Sequence, residues 1–128
     1  MKSYEFAAAS GRNHDESMVR RDFHAAKAIG GIRYGRYYLF QQGITKWMYI
    51  DYNDIVWAYR HLEDVQSRLG RRTAGVEMHI LMIVTKDRKR IGVPVGSEEN
   101  AVAVLRVIQQ HNAFVDIGFA REKEEKYL

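Results

Sequence analysis

The stretch Val76-Glu77-Met78-His79-Ile80-Leu81-Met82-Ile83-Val84-Thr85-Lys86 decides the fold. Val76, Met78, Ile80, Met82 and Val84 fall on one face of an extended strand, and His79, Leu81 and Ile83 on the other. Apolar side chains on both faces predict a central strand, covered on each side at least over its second half. Asp87-Arg88 predicts a tight turn, and Lys89 to Val95 an antiparallel return.

Downstream, Ser97 is placed to cap a helix, with Glu98 and Glu99 suited to its positive end. Ala101, Val102, Val104, Leu105 and Ile108 make a broad apolar stripe that needs a sheet to cover it, and Asn112 is a C-terminal cap. Val115 to Ala120 reads as a short extended segment, and 121–128 as a charged tail able to form a helix.

Upstream, Ile32 to Gln42 is rich in aromatic residues and predicts a strand, with Gln42-Gly43 as its turn. Lys46 to Tyr52 predicts a second strand. A third begins at Asn53-Asp54, with Ile55, Trp57 and Tyr59 on one face and Val56, Ala58 and Leu62 on the other. Met18, Val19, Phe23, Ala26 and Ile29 recur at helical spacing, predicting a helix over 13–29, opened by Asn13 or Asp15 and ended by Gly30-Gly31. Residues 1–12 show no period and are expected to be flexible. Ser67 to Gly75 predicts an exposed loop. Consecutive antiparallel strands followed by a helix indicate an α+β domain spanning 1–128, with a sheet of about five strands, an N-terminal helix and a packed C-terminal helix.

The composition, 46% hydrophobic and 28% charged over 128 residues, is that of a globular chain. Cysteine is absent, which removes thiolate catalysis, disulfides and cysteine-ligated zinc. No stretch predicts a signal peptide or a membrane span, so a cytoplasmic protein is expected. The net charge of +4 is local. Arg68, Arg71 and Arg72 carry +3, the segment Lys86 to Arg90 carries a further +3, and the remainder of the chain is about −2.

The segments Tyr34 to Phe40, Asp54 to Tyr59, Leu81 to Asp87 and the closing Glu122 to Leu128 resemble a family of small uncharacterised bacterial proteins related to pleckstrin-homology-like domains. The resemblance runs from Gly30 onward. It implies a strongly bent antiparallel sheet closed by a C-terminal helix, with loops at the open end that bind acidic lipid head groups or phosphopeptides. The full pattern has seven strands against the five expected here and lacks the N-terminal helix, so the resemblance leaves open whether the barrel closes within the chain or is completed by a partner chain.

Candidate chemistry is sparse. His14, His24, His61, His79 and His111 form no HExxH or other ligand spacing, and His14-Asp15-Glu16 is better read as a helix start. Asp51 with Asp54, and Glu63 with Asp64, are pairs suited to acid–base work, although turns and strand ends also call for such residues. There is no GxSxG, phosphate-binding loop or dinucleotide fingerprint. Arg33, Tyr34, Arg36, Tyr37 and Tyr38 interleave basic and aromatic side chains, as nucleic-acid surfaces do, but the low net charge argues against an extended footprint. No cofactor is expected. The expected function is a non-enzymatic module binding a protein, or a second copy of itself, at an exposed strand edge. The alternatives are an anionic-ligand binder using Arg68, Arg71, Arg72, Lys86, Arg88, Lys89 and Arg90, and a small enzyme built on His61, His79, Asp51 and Glu63.

Overall fold

The computed structural model describes residues 4–64 and 77–128. In chain order these form β1 (Phe6–Ala8), α1 (Glu16–Ala25), β2 (Lys27–Ile29), β3 (Ile32–Tyr34), β4 (Tyr38–Gln42), β5 (Trp47–Asp51), a 3₁₀ turn (Tyr52–Asp54), β6 (Ile55–Asp64), β7 (Glu77–Thr85), β8 (Arg90–Pro94), α2 (Glu98–His111), β9 (Asp116–Ile117) and α3 (Arg121–Tyr127). The α+β class holds. The expected five-stranded sheet is there, in the order β1-β5-β4-β3-β2, and a four-stranded sheet, β8-β7-β6-β9, accompanies it. Strands β2 to β5 and β6 to β8 are two antiparallel meanders. Both sheets are mixed, because β1 lies parallel to β5 and β9 parallel to β6.

Three boundaries depart from the sequence pattern. The first helix spans Glu16–Ala25, capped by Asp15, and ends before Lys27–Ile29, which pairs with β3. Gly30-Gly31 is therefore a two-residue hairpin turn, with Gly30 at φ 57°; turn and helix end both call for a left-handed glycine, so the pair fits either. The run Ile32 to Gln42 is broken at Gly35. There the N–H groups of Arg36, Tyr37 and Tyr38 donate to the buried Asp22 carboxylate of α1 at 2.8, 3.1 and 3.0 Å. A Cβ on Gly35 would lie 2.1 Å from an Asp22 oxygen, so only glycine fits there. Phe6–Ala8, expected to be flexible, is held as β1 on Trp47, Met48 and Tyr49.

One core fills the space between the sheets. Ile32, Leu39 and Ile50 come from the first, Ala58, Leu81, Ile83 and Val93 from the second, and Ala101, Val104 and Ile108 from α2. The outer face of the first sheet packs Tyr38, Phe40 and Tyr49 against Val19 and Phe23 of α1. The outer face of the second packs Trp57, Tyr59 and Val84 against Tyr127 and Leu128. Both faces of β7 are covered in its second half, as the alternation of Leu81 and Ile83 with Met82 and Val84 predicts. In β6 a bulge between Ile55 and Trp57 shifts the pattern. Ile55 joins Ala58 in the central core, while Trp57 and Tyr59 face outward.

The C-terminal end of α2 fastens the joint between the sheets. Asn112 caps the helix and its Nδ2 donates to the carbonyls of Tyr52 and Ile55, each at 2.9 Å. Among the described residues no helix is long and apolar enough to cross a membrane.

Candidate functional site

Strand β6 is ten residues long and pairs with β7 throughout. On its other side β9 covers only Trp57 and Ala58, and Gly118 N–H donates to the Ala58 carbonyl at 2.9 Å. Among the described residues no strand continues that pairing. By strand alternation Arg60 and Leu62 turn their N–H and C=O groups toward the same open side as Ala58.

A groove of about 540 Å³ lies along this edge. Arg60, His61 and Leu62 of β6 form one wall, Ala101 and Leu105 of α2 another, and Ile117 to Phe119 a third. The chain leaves β9 abruptly because Gly118 takes a left-handed turn at φ 97°. Its carbonyl accepts from Trp57 Nε1 at 2.8 Å and from Lys123 Nζ at 2.9 Å. Phe119 stacks on Trp57 at 6.2 Å and leans on Tyr59 at 5.3 Å, yet remains 55% exposed, as does Leu62. Arg60 is ion-paired with Glu98 at the start of α2, which Ser97 caps by accepting from Asn100 N–H at 3.1 Å. The site thus combines strand backbone that no other strand pairs among the described residues with a rim of exposed apolar side chains, the two elements that recognition of an extended segment uses.

The residues singled out by sequence are dispersed. Arg68, Arg71 and Arg72, with Glu63's neighbours beyond Asp64, lie outside the described residues. Lys86, Arg88, Lys89 and Arg90 are exposed at the β7–β8 turn. That turn is tied down. Asp87 accepts from Ser10 Oγ at 2.6 Å and from the Thr85 hydroxyl, and these two bonds hold its carboxyl below its ordinary pKa. Arg88, at φ 63°, donates to the Leu128 carbonyl at 3.3 Å.

His61 and His79 both line the groove. Cross-strand pairing sets His79 opposite Leu62, so the two imidazoles leave opposite faces of the sheet and do not converge on one substrate. Asp51 lies elsewhere, at the end of β5, where it caps the 3₁₀ turn by accepting from Asn53 N–H at 2.9 Å. It is joined there by Asp54 and by His14, which sequence reasoning set aside as part of a helix start. Burial first, and the Asp51 charge second, push the Asp54 carboxyl above its usual range. The neighbouring Tyr38 phenol is pushed up to about 12, again by burial and then by Asp51. Nothing local in the sequence announces this convergence, because His14 stands 37 residues before Asp51.

No curated protein and no solved structure matches the chain. A family profile does, over residues 7–127, and so takes in β1 and α1 as well as the segments after Gly30. The chain belongs to the family described as a domain of unknown function, DUF6709.

Proposed function

We propose that this domain is a non-enzymatic interaction module, related to pleckstrin-homology-like domains, that takes an extended segment of a partner protein as an added strand along the open half of β6. The observation that carries the proposal is the edge itself: among the described residues no strand pairs with the open side of Arg60 and Leu62, which lies beside a groove rimmed by exposed Leu62 and Phe119. The kinship is supported by seven consecutive meander strands, four and then three, followed by α2. These lie within one chain, so this proposal needs no partner to complete the sheets.

Extended peptides selected against the full chain are expected to perturb the amide resonances of Tyr59 to Glu63 and of Gly118 and Phe119. Leu62→Asp is expected to weaken them about tenfold or more and to leave the melting temperature nearly unchanged. A chain that is a dimer in solution, and becomes monomeric with Leu62→Asp, would assign the edge to a second copy instead.

A second reading rests on the four cations of the β7–β8 turn, all exposed while Asp87 among them is engaged by Ser10 and Thr85. It predicts salt-sensitive binding to vesicles of acidic lipid that is lost when Lys89 and Arg90 are both changed to glutamate. Binding that survives this change discards it.

A further inference from the structure

We infer that His14, Asp51 and Asp54 form a binding site for one divalent transition-metal ion. A ring nitrogen of His14 and one carboxylate oxygen from each aspartate all lie within 4.8 Å of one another. Metal–ligand bonds of about 2.0–2.2 Å bring such donors to within roughly 3–4.4 Å of each other, so small side-chain rotations close the set. The three ligands come from three elements: the segment entering α1, the end of β5 and the 3₁₀ turn.

His14 is held in place before any ion arrives. Its backbone N–H donates to Tyr49 Oη at 2.7 Å, its Nδ1 lies 2.9 Å from Tyr38 Oη, and both phenol rings meet the imidazole edge-on, at 5.3 and 5.8 Å. A phenol bonded to a ring nitrogen fixes the plane of the imidazole, as partners outside the coordination shell do in metal sites. The two carboxylates repel each other, and among the described residues neither has an ion-pair partner within 4 Å. His14 and Asp51 also line a cavity of about 360 Å³, together with Arg36, Asn53 and His111. That space admits the water molecules needed to complete a coordination sphere to which the protein gives three atoms.

One nitrogen and two carboxylate oxygens suit zinc, cobalt or manganese better than magnesium or calcium, which favour all-oxygen shells. The inference is independent of strand addition at β6, since no residue of this cluster lines that groove.

The test uses the full chain, dialysed against chelator and titrated with Zn²⁺, Co²⁺ and Mg²⁺ by calorimetry and, for Co²⁺, by visible absorption. Binding of one Zn²⁺ or Co²⁺ per chain, with a cobalt ligand-field band and much weaker Mg²⁺ binding, is the expected result. Asp54→Asn is the primary variant because, among the described residues, its carboxylate makes no side-chain hydrogen bond that the change would break. It is expected to weaken Zn²⁺ binding about 10–100-fold, and Tyr38→Phe to weaken it by a smaller factor. His61→Gln, in the groove, is expected to bind Zn²⁺ as the parent does. Unchanged affinity in Asp54→Asn, or loss in His61→Gln instead, would overturn the inference, as would the absence of any Co²⁺ band. The melting temperature of metal-free Asp54→Asn, expected to equal or slightly exceed that of the metal-free parent because the repulsion from Asp51 is relieved, separates loss of a ligand from loss of fold.

Discussion

The two sheets receive the same repair and finish differently. Each meander has a flank to which a strand from one end of the chain is added in parallel: β1 on β5, and β9 on β6. On β5 the addition is thorough. It covers three of five residues, and backbone bonds from Trp47 N–H to Glu5 and from Ala9 N–H to Tyr49 extend it at both ends, at 2.8 and 2.9 Å. Phe6 of β1 also meets Phe23 and Phe40 edge-on, which fastens the strand to the aromatic cluster under α1. On β6 the addition stops after two of ten residues, because Gly118 turns the chain away. A sealed edge resists adventitious pairing; a long half-sealed one retains the capacity to pair. The difference separates a flank closed by the chain itself from one that, among the described residues, is left half open.

The comparison breaks most visibly at Trp57. This side chain is fully buried and supports Phe119, Tyr127 and the Gly118 carbonyl together. Trp57→Ala is expected to cost about 3–5 kcal/mol in chemical denaturation. It is also expected to speed hydrogen exchange at Gly118 while leaving Ala9, on the sealed flank, protected. Equal acceleration at both amides would mean that the flanks do not differ as described.

Asp22→Ala attacks the sealed side. Three backbone N–H groups lose their acceptor, and the expected loss is about 2–4 kcal/mol, with Ala9 now exchanging faster than Gly118. Asp22→Asn is expected to recover part of this, since an amide oxygen still accepts.

The smallest effect concerns α3. Asp116 accepts from Lys123 at 2.6 Å and from Tyr127 Oη at 2.9 Å. Burial draws its carboxyl up, but those bonds outweigh burial and its pKa is lowered. A lowered pKa means that the contribution is complete above the unfolded value of about 3.9 and fades as pH falls toward the folded one. Exchange at Gly118 is therefore expected to rise below about pH 4. Asp116→Asn is expected to remove that dependence at a cost of about 1 kcal/mol or less. A profile that is the same in both proteins would detach α3 from the behaviour of this flank.

The parts of this architecture visible in the sequence are those fixed by nearest neighbours. Ser97 and Asn112 cap α2, the Asp87-Arg88 turn joins β7 to β8, and the two-faced apolar run forms β7, because a few adjacent residues determine each. The β3–β4 turn was hidden because its acceptor, Asp22, comes from another element. The one local sign is that Asp22 falls on the same helical stripe as Val19 and Phe23, an acid where an apolar residue is expected. The bulge after Ile55 was hidden for a similar reason, since strict alternation assigns Ile55 and Trp57 to one face. Of the candidate site, the first half of β6 and its neighbours could be read; the run of the strand through His61 to Asp64 could not be told from a helical turn, and the open edge was hidden because edges are set by which strands fail to pair. The His14 cluster required the whole fold.

Helix α2 has fourteen residues, about 21 Å of rigid rod. Its first turns form a wall of the β6 groove through Glu98, Ala101 and Leu105. Its last residue, His111, stacks on Tyr52 at 4.2 Å and borders the cavity of His14 and Asp51. Asn112, just beyond, grips the carbonyls on both sides of the sheet joint. The helix thus spans the distance between the two cavities as one piece, pinned at the seam between the sheets by the residue that ends it.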